Sequence, residues 1–168
     1  MMEKAVWCYL LREIDGVMQV CLAPKLKLVG SQNYVAGKLN AAGGHLEPNE
    51  EPVGAAIREI AEEQGVVVRG VDLEPKGLVV FLFPGHEQLD LLCYVFTTKR
   101  WQGEPQATTA LGEPEWHVLD QLPFDRLPDS DRYWLPLALT GGLTSVVFHL
   151  DGDYHVLSHQ LIPRSDTA

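Results

Sequence analysis

Residues 44–66 read GHLEPNEEPVGAAIREIAEEQGV, and the spacing inside this stretch governs how the rest of the chain is read. Gly44 is followed after five residues by Glu50, and after seven more by Arg58-Glu59-Ile60, with Glu62, Glu63, Gly65 and Val66 closing the pattern. Local chemistry predicts a helix here. Asn49 is a candidate N-cap, Glu50 and Glu51 suit the positive end of a helix dipole, and Pro52 is tolerated in a first turn. Gly65 supplies a C-terminal stop. Val53, Ile57, Ile60 and Ala61 recur every three or four residues and are expected to form the core-facing stripe. Glu59, Glu62 and Glu63 follow the same spacing on roughly the opposite face. Three carboxylates so close repel one another unless a cation joins them. Oxygen ligands of this kind suit a hard cation, and a magnesium site usually combines carboxylates with water and substrate phosphate.

The specified positions Gly44, Glu50, Arg58, Glu59, Ile60, Glu62, Glu63, Gly65 and Val66 match the Nudix signature, G-x5-E-x7-R-E-U-x-E-E-x-G-U with U aliphatic, and the chain therefore resembles the Nudix hydrolases. The resemblance implies hydrolysis of a nucleoside diphosphate linked to some further group, dependent on Mg2+ with Mn2+ as a substitute. It makes Glu59, Glu62 and Glu63 metal ligands and Arg58 an orienting partner for a carboxylate, a role its bidentate fork suits. Glu50 is either a further ligand or that partner. Gly43-Gly44 is expected to turn tightly beside metal and phosphates, Gly43 with the metal and Gly44 with the substrate. His45 receives only the role of a polar loop residue.

Composition bounds the remaining possibilities. The 168 residues, 46% hydrophobic, suit a single domain over 1–168 with an adequate core. No apolar run reaches about eighteen residues, which argues against a transmembrane span. The stretch Met1 to Arg12 alternates like a strand, contains Glu3 and Lys4, and lacks a signal-peptide layout. Cys8, Cys21 and Cys93 are odd in number and set in apolar runs, so buried reduced thiols and a cytoplasmic location are expected. No Cys/His spacing resembles a zinc site. The net charge of −10 argues against a nucleic-acid polymer as partner. A nucleotide small-molecule substrate is still compatible, provided a divalent metal carries the positive charge locally. Monomer and homodimer both remain open.

Outward from the signature, Lys4 to Glu13 and Val17 to Leu22 read as strands around a turn at Asp15-Gly16. Lys25 to Gly37 reads as a loop, and Lys38 to Ala42 as a short strand leading into the glycines. Val66 to Val71, Lys76 to Phe83, Leu89 to Thr97 and Glu115 to Leu119 read as strands, with a turn at Pro84-Gly85-His86-Glu87. Trp101 to Pro114 reads as a loop beside the site, and Asp129 to Leu139 as helical. Val146 to Leu150 and Tyr154 to Leu157 complete a last hairpin around Asp151-Gly152. The expected class is α/β (α+β), a mixed β-sheet flanked by helices, and the family resemblance sharpens this to the Nudix α/β/α sandwich.

A second layer of resemblance is narrower. The segments from Pro114 to Phe124 and from Asp131 to Leu137 look like the corresponding parts of the 8-oxo-purine nucleoside triphosphate diphosphatases, the MutT-like group. Gly37-Lys38-Leu39-Asn40 matches that group's approach to the glycines, with Leu39 in place of the usual tryptophan. The resemblance makes Asn40 a base-reading residue, chemistry that an amide performs in two senses. An ungapped match puts Pro128 where a base-stacking tryptophan stands and Ser130 where the first of two acids stands; Asp131 is kept, and Asp129 substitutes only after a shift. Tyr34 falls near an aromatic wall of the pocket, and Lys38 joins the substrate contacts. Glu113, with Glu104 behind it, is the expected extra metal ligand or base.

The implied reaction is attack of water on a nucleoside triphosphate, releasing nucleoside monophosphate and pyrophosphate. The signature equally serves hydrolases of ADP-ribose, dinucleoside polyphosphates, pterin triphosphates and RNA caps. A non-catalytic nucleotide-binding module is the reading from another class, and it commonly lacks a signature glutamate that this chain keeps. Serine, cysteine or histidine nucleophile chemistry has no supporting constellation.

Overall fold

The computed structural model describes residues 1–27, 35–142 and 145–162. Strand β1 (Glu3–Ile14) alternates strictly, sending Ala5, Tyr9 and Leu11 to one core with partly buried Trp7, and Val6, Cys8 and Leu10 to another. A strand apolar on both faces must be covered on both. Its first half lies between β6 (Leu91–Thr98), parallel, and β4 (Ala42–His45), antiparallel; its second half pairs with β2 (Val17–Pro24). Asp15 and Gly16, both at positive φ, make the tight turn between β1 and β2. The sheet continues through β5 (Glu74–Leu82) to β8 (Ser145–Leu150) and β9 (Val156–Ile162), while β3 (Leu39–Asn40) and β7 (Glu115–Val118) pair with β2.

Helix α1 (Pro52–Gln64) covers one face, where Ala55, Ala56 and Ile60 meet Val6, Cys8, Leu10 and Ala42. Full burial of a side chain such as Ile60 contributes about 2 kcal/mol. The other face is covered by a 3-10 segment (Asp129–Tyr133) and by α2 (Leu135–Leu139), which bury Trp134, Leu135 and Ala138 against Tyr9, Phe81 and Phe148. This is the expected mixed sheet flanked by helices.

Local expectations needed four corrections. The buried face of α1 is Ala55, Ala56, Glu59, Ile60, Glu63 and Gln64, whereas Val53 and Ala61 are exposed and Ile57 is half-buried. The helix N-cap is Glu51 without a side-chain cap bond, and Asn49 sits at φ 64 outside the helix. Gly65 does close it, at φ 70. Val66 to Val71 is not a strand: Val66 and Val68 are buried, but pairing is confined to a single bridge, Val67 to Gln102. Gly43 and Gly44 lie inside β4 rather than in a turn. The three cysteines are free and buried as expected, and burial pushes Cys8 and Cys21 up to about 12. Among the described residues no helix is long and apolar enough to cross a membrane.

Candidate active site

The site begins with two missing side chains. A Cβ on Gly44 would lie 2.6 Å from Glu59 Cδ of α1, and one on Gly43 would lie 2.6 Å from Trp7 Cδ1 of β1, so glycine lets β4 run close to both neighbours. That approach buries two of the signature glutamates. Glu63 Oε2 accepts the Gly43 N–H at 2.9 Å, and its Oε1 accepts from Lys25 Nζ at 2.7 Å; Lys25 also donates to the Gly43 carbonyl at 3.3 Å. Glu59 Oε1 accepts from Arg58 Nη1 at 2.7 Å. Glu62, with its side chain 60% exposed, stands at the rim and meets Arg58 only at 3.5 Å. The expectation that all three glutamates face away from the core is therefore corrected for Glu59 and Glu63. A helical wheel treats a carboxylate as polar, but glycine-enabled packing draws these two inward.

Arg58 organises the acids around it. Its Nε and Nη2 donate to the two oxygens of Glu50 at 2.9 and 2.8 Å, and Nη2 also reaches the His45 carbonyl at 3.1 Å. Glu50 is thus Arg58's bidentate partner, and the guanidinium bond holds its carboxyl down near 2. Glu59 is moved the other way: burial raises it, against the pull of Arg58. Among the described residues no group of three or more His, Cys, Asp or Glu side chains converges as a finished metal cage. The oxygen donors on one cavity are the Glu59 and Glu63 carboxylates and the Gly43 carbonyl, while Glu62 lies exposed beside Arg58. That all-oxygen, anionic set fits a hard divalent cation.

Gly43, Gly44, Arg58, Glu59 and Glu63 line a cavity of about 280 Å³ together with Trp7, Lys25 and Asn40. Trp7 and Asn40 also line a recess of about 20 Å³, which continues to Tyr9, Pro128, Ser130 and Asp131. The Asn40 side-chain oxygen accepts the Ala41 N–H at 2.9 Å, leaving its amide N–H groups as donors. Asp131 is buried, bonded by Trp134 Nε1 at 3.3 Å and Ser130 Oγ at 3.4 Å, and desolvation lifts its carboxyl to about 7. Pro128 and Ser130 occupy the wall at the positions where the resemblance expects tryptophan and an acid. An aromatic face comes instead from β1: Trp7 stacks on Trp134 at 5.5 Å and 14°.

Other expected contacts are not brought together. Lys38 does not line the cavity and donates to the Asp125 carbonyl at 3.4 Å. Asp129 pairs with Arg132 at 2.9 Å in a 64% exposed position. Glu113 and Glu104 are exposed in the loop 101–114, which does pack on α1 through Thr108 Oγ1 to the Glu63 carbonyl at 2.9 Å, but neither glutamate lines the cavity. Tyr34 lies outside the described residues. Sequence reading missed Lys25 and Trp7. The inward phase of β1 was the available signal for Trp7, whereas nothing in the spacing around Lys25 points to Glu63.

Comparison with known proteins agrees with this geometry. A NUDIX domain family model matches residues 3–138. The oxidized purine nucleoside triphosphate hydrolase of Danio rerio is 30% identical over 130 residues, covering 77% of this chain and 81% of that protein. Its Mus musculus namesake is 33% identical over 120 residues, covering 70% and 74%. A MutT protein from Bacillus halodurans shares the fold with a TM-score of 0.74 at 22% identity, covering 97% of this chain and 99% of its own. With the family model spanning most of the chain and Gly44, Arg58, Glu59 and Glu63 of the signature lining one cavity, the chain belongs to the Nudix family of pyrophosphohydrolases.

Proposed function

We propose that this chain hydrolyses a modified purine nucleoside triphosphate, releasing nucleoside monophosphate and pyrophosphate, with Mg2+ held by Glu59, Glu62, Glu63 and the Gly43 carbonyl. The observation that carries the reading is shared lining: Trp7 and Asn40 face both the cavity that holds Glu59 and Glu63 and the recess that holds Asp131. When bound, the cation supplies charge neutralisation for the phosphates and lowers the pKa of a water. Arg58, fixed by Glu50 and the His45 carbonyl, holds Glu59 in place. The water adds to a phosphorus, the anhydride oxygen leaves with pyrophosphate, and the water's proton passes to a carboxylate of this set.

The recess suits a purine. Trp7, backed by Trp134, lines the recess with an aromatic ring, Asn40 offers N–H donors, and Asp131, poised near neutrality, serves as donor when protonated and acceptor when ionised. An 8-oxo-purine carries an N–H at N7 where the ordinary base has only an acceptor, so a switchable carboxyl is a fitting reader. The names of the Danio rerio and Mus musculus relatives support the same substrate class. Buried, free Cys8, Cys21 and Cys93 suit a cytoplasmic setting.

The test is magnesium-dependent pyrophosphate release across canonical, oxidised and methylated nucleoside triphosphates, with ADP-ribose and diadenosine polyphosphates beside them. A preference for a modified purine triphosphate is expected. Dominant turnover of ADP-ribose or a dinucleotide would discard the recess as a base reader, and binding without turnover of any compound would discard the hydrolytic assignment.

A further inference from the structure

Lys25 has no place in the Nudix signature, yet its ammonium sits among the oxygens that the metal reading requires. Nζ lies 2.7 Å from Glu63 Oε1 and 3.3 Å from the Gly43 carbonyl oxygen, and the two side chains are only 11% and 7% exposed. A divalent ion held by the same two oxygens would stand where this ammonium stands, and two cations sharing one oxygen pair in a partly dry site repel strongly. The backbone of Lys25 does not yield: its N–H bonds the Lys38 carbonyl at 2.9 Å, its carbonyl accepts the Gly37 N–H at 3.0 Å, and it bridges to Leu111. Motion is left to the side chain, which lines the cavity shared with Trp7 and Asn40.

We propose that Lys25 is an exchangeable counter-cation: it holds Glu63 and Gly43 by itself, yields these oxygens to the divalent ion, and transfers its ammonium to the phosphates of the incoming nucleotide. The inference rests on the metal assignment above. Its consequence is coupled loading. Free metal must displace Lys25 without offering it a new anion, whereas metal arriving with a nucleotide brings the phosphates that receive it, so each ligand strengthens the other's binding. Arg58 cannot play this part, being held at once by Glu50, Glu59 and the His45 carbonyl. Lys27 lines the same cavity but is exposed and makes no bond to Glu63, which makes it a control for charge alone.

The experiment measures Mn2+ binding by electron paramagnetic resonance on the whole chain, with and without a non-hydrolysable nucleoside triphosphate, for wild type, Lys25→Met and Lys27→Met. Lys25→Met is expected to bind free Mn2+ at least about tenfold more tightly and to lose the strengthening by nucleotide. Lys27→Met should stay within about threefold, as its exposed charge is screened. On the unaltered chain, nitrogen-15 lysine NMR should show a slowly exchanging Lys25 ammonium that loses its protection when Mg2+ and nucleotide are added, a readout independent of how well the variant folds. Equal shifts in the two variants, nucleotide coupling that survives in Lys25→Met, or a Lys25 ammonium unmoved by Mg2+ and nucleotide would overturn the proposal. Absence of Mn2+ binding to all three proteins would remove the metal assignment itself, and this inference with it.

Discussion

Replacing Asp131 by Asn should stabilise the protein, and more so as the pH rises. Asp131 is 4% exposed, and desolvation lifts its carboxyl from the ordinary 3.8 to about 7, against the opposing bonds from Trp134 and Ser130. Below about pH 4 the group is protonated in folded and unfolded chains alike and costs nothing. As the pH rises, the unfolded chain releases its proton first, so folded-state stability declines until the folded carboxyl also ionises near 7, then levels off. The interval between 3.8 and about 7, at about 1.4 kcal/mol per pH unit, gives a plateau cost of about 4 kcal/mol. Tyr9 and Cys93, the neighbours that sense Asp131, are themselves pushed upward and stay neutral through this window. Asn preserves the shape and can accept the Trp134 N–H. Urea denaturation of both proteins at about pH 5 and about pH 8.5 should show an advantage for Asp131→Asn that is larger by about 2 to 3 kcal/mol at the higher pH. Effects of the substitution unrelated to ionisation are the same at both pH values and cancel. A difference constant to within about 0.5 kcal/mol would refute the raised carboxyl and, with it, the switchable reader proposed for the base.

Glu62→Gln should abolish magnesium-dependent turnover while leaving stability within about 0.5 kcal/mol, because the side chain is 60% exposed; near-normal turnover at saturating magnesium would remove Glu62 from the metal set. Arg58→Lys keeps the charge but loses the fork on Glu50, and kcat should fall about 10- to 100-fold, with a change under about twofold speaking against a positioning role. Trp7→Leu should raise the Kd of a non-hydrolysable purine triphosphate by about tenfold through lost stacking, and unchanged binding in a calorimetric titration would remove Trp7 as the base's aromatic wall.

Much of this is legible in the amino-acid sequence. The presence of α1, its Gly65 stop, the β1–β2 turn at Asp15-Gly16 and the mixed sheet between helical layers follow from local periodicity and turn chemistry. Where the local reading failed, a distant partner overruled it. The alternation of Val66 to Val71 is real, but a strand needs a partner along its length, and only Gln102 comes into register. The position matching the group's tryptophan holds Pro128, yet an aromatic wall is still present, because β1 passes beneath the recess and contributes Trp7.

What the amino-acid sequence by itself determined is the catalytic helix: which glutamates it carries, where it ends, and the family to which it belongs, since each depends on spacing within one short segment. The tertiary structure alone decided that Glu59 and Glu63 turn inward and Glu62 outward, that Glu50 is Arg58's partner, that Lys25, Trp7 and Asn40 share a cavity with Glu59 and Glu63, and that Asp131 lines the recess beside Trp7 and Asn40. The reason lies in range. Helical spacing encodes contacts a few residues apart, whereas Lys25 to Glu63, Gly44 to Glu59 and Trp7 to Asp131 are brought together only when β1, β2 and β4 pair and the two helical layers close over them.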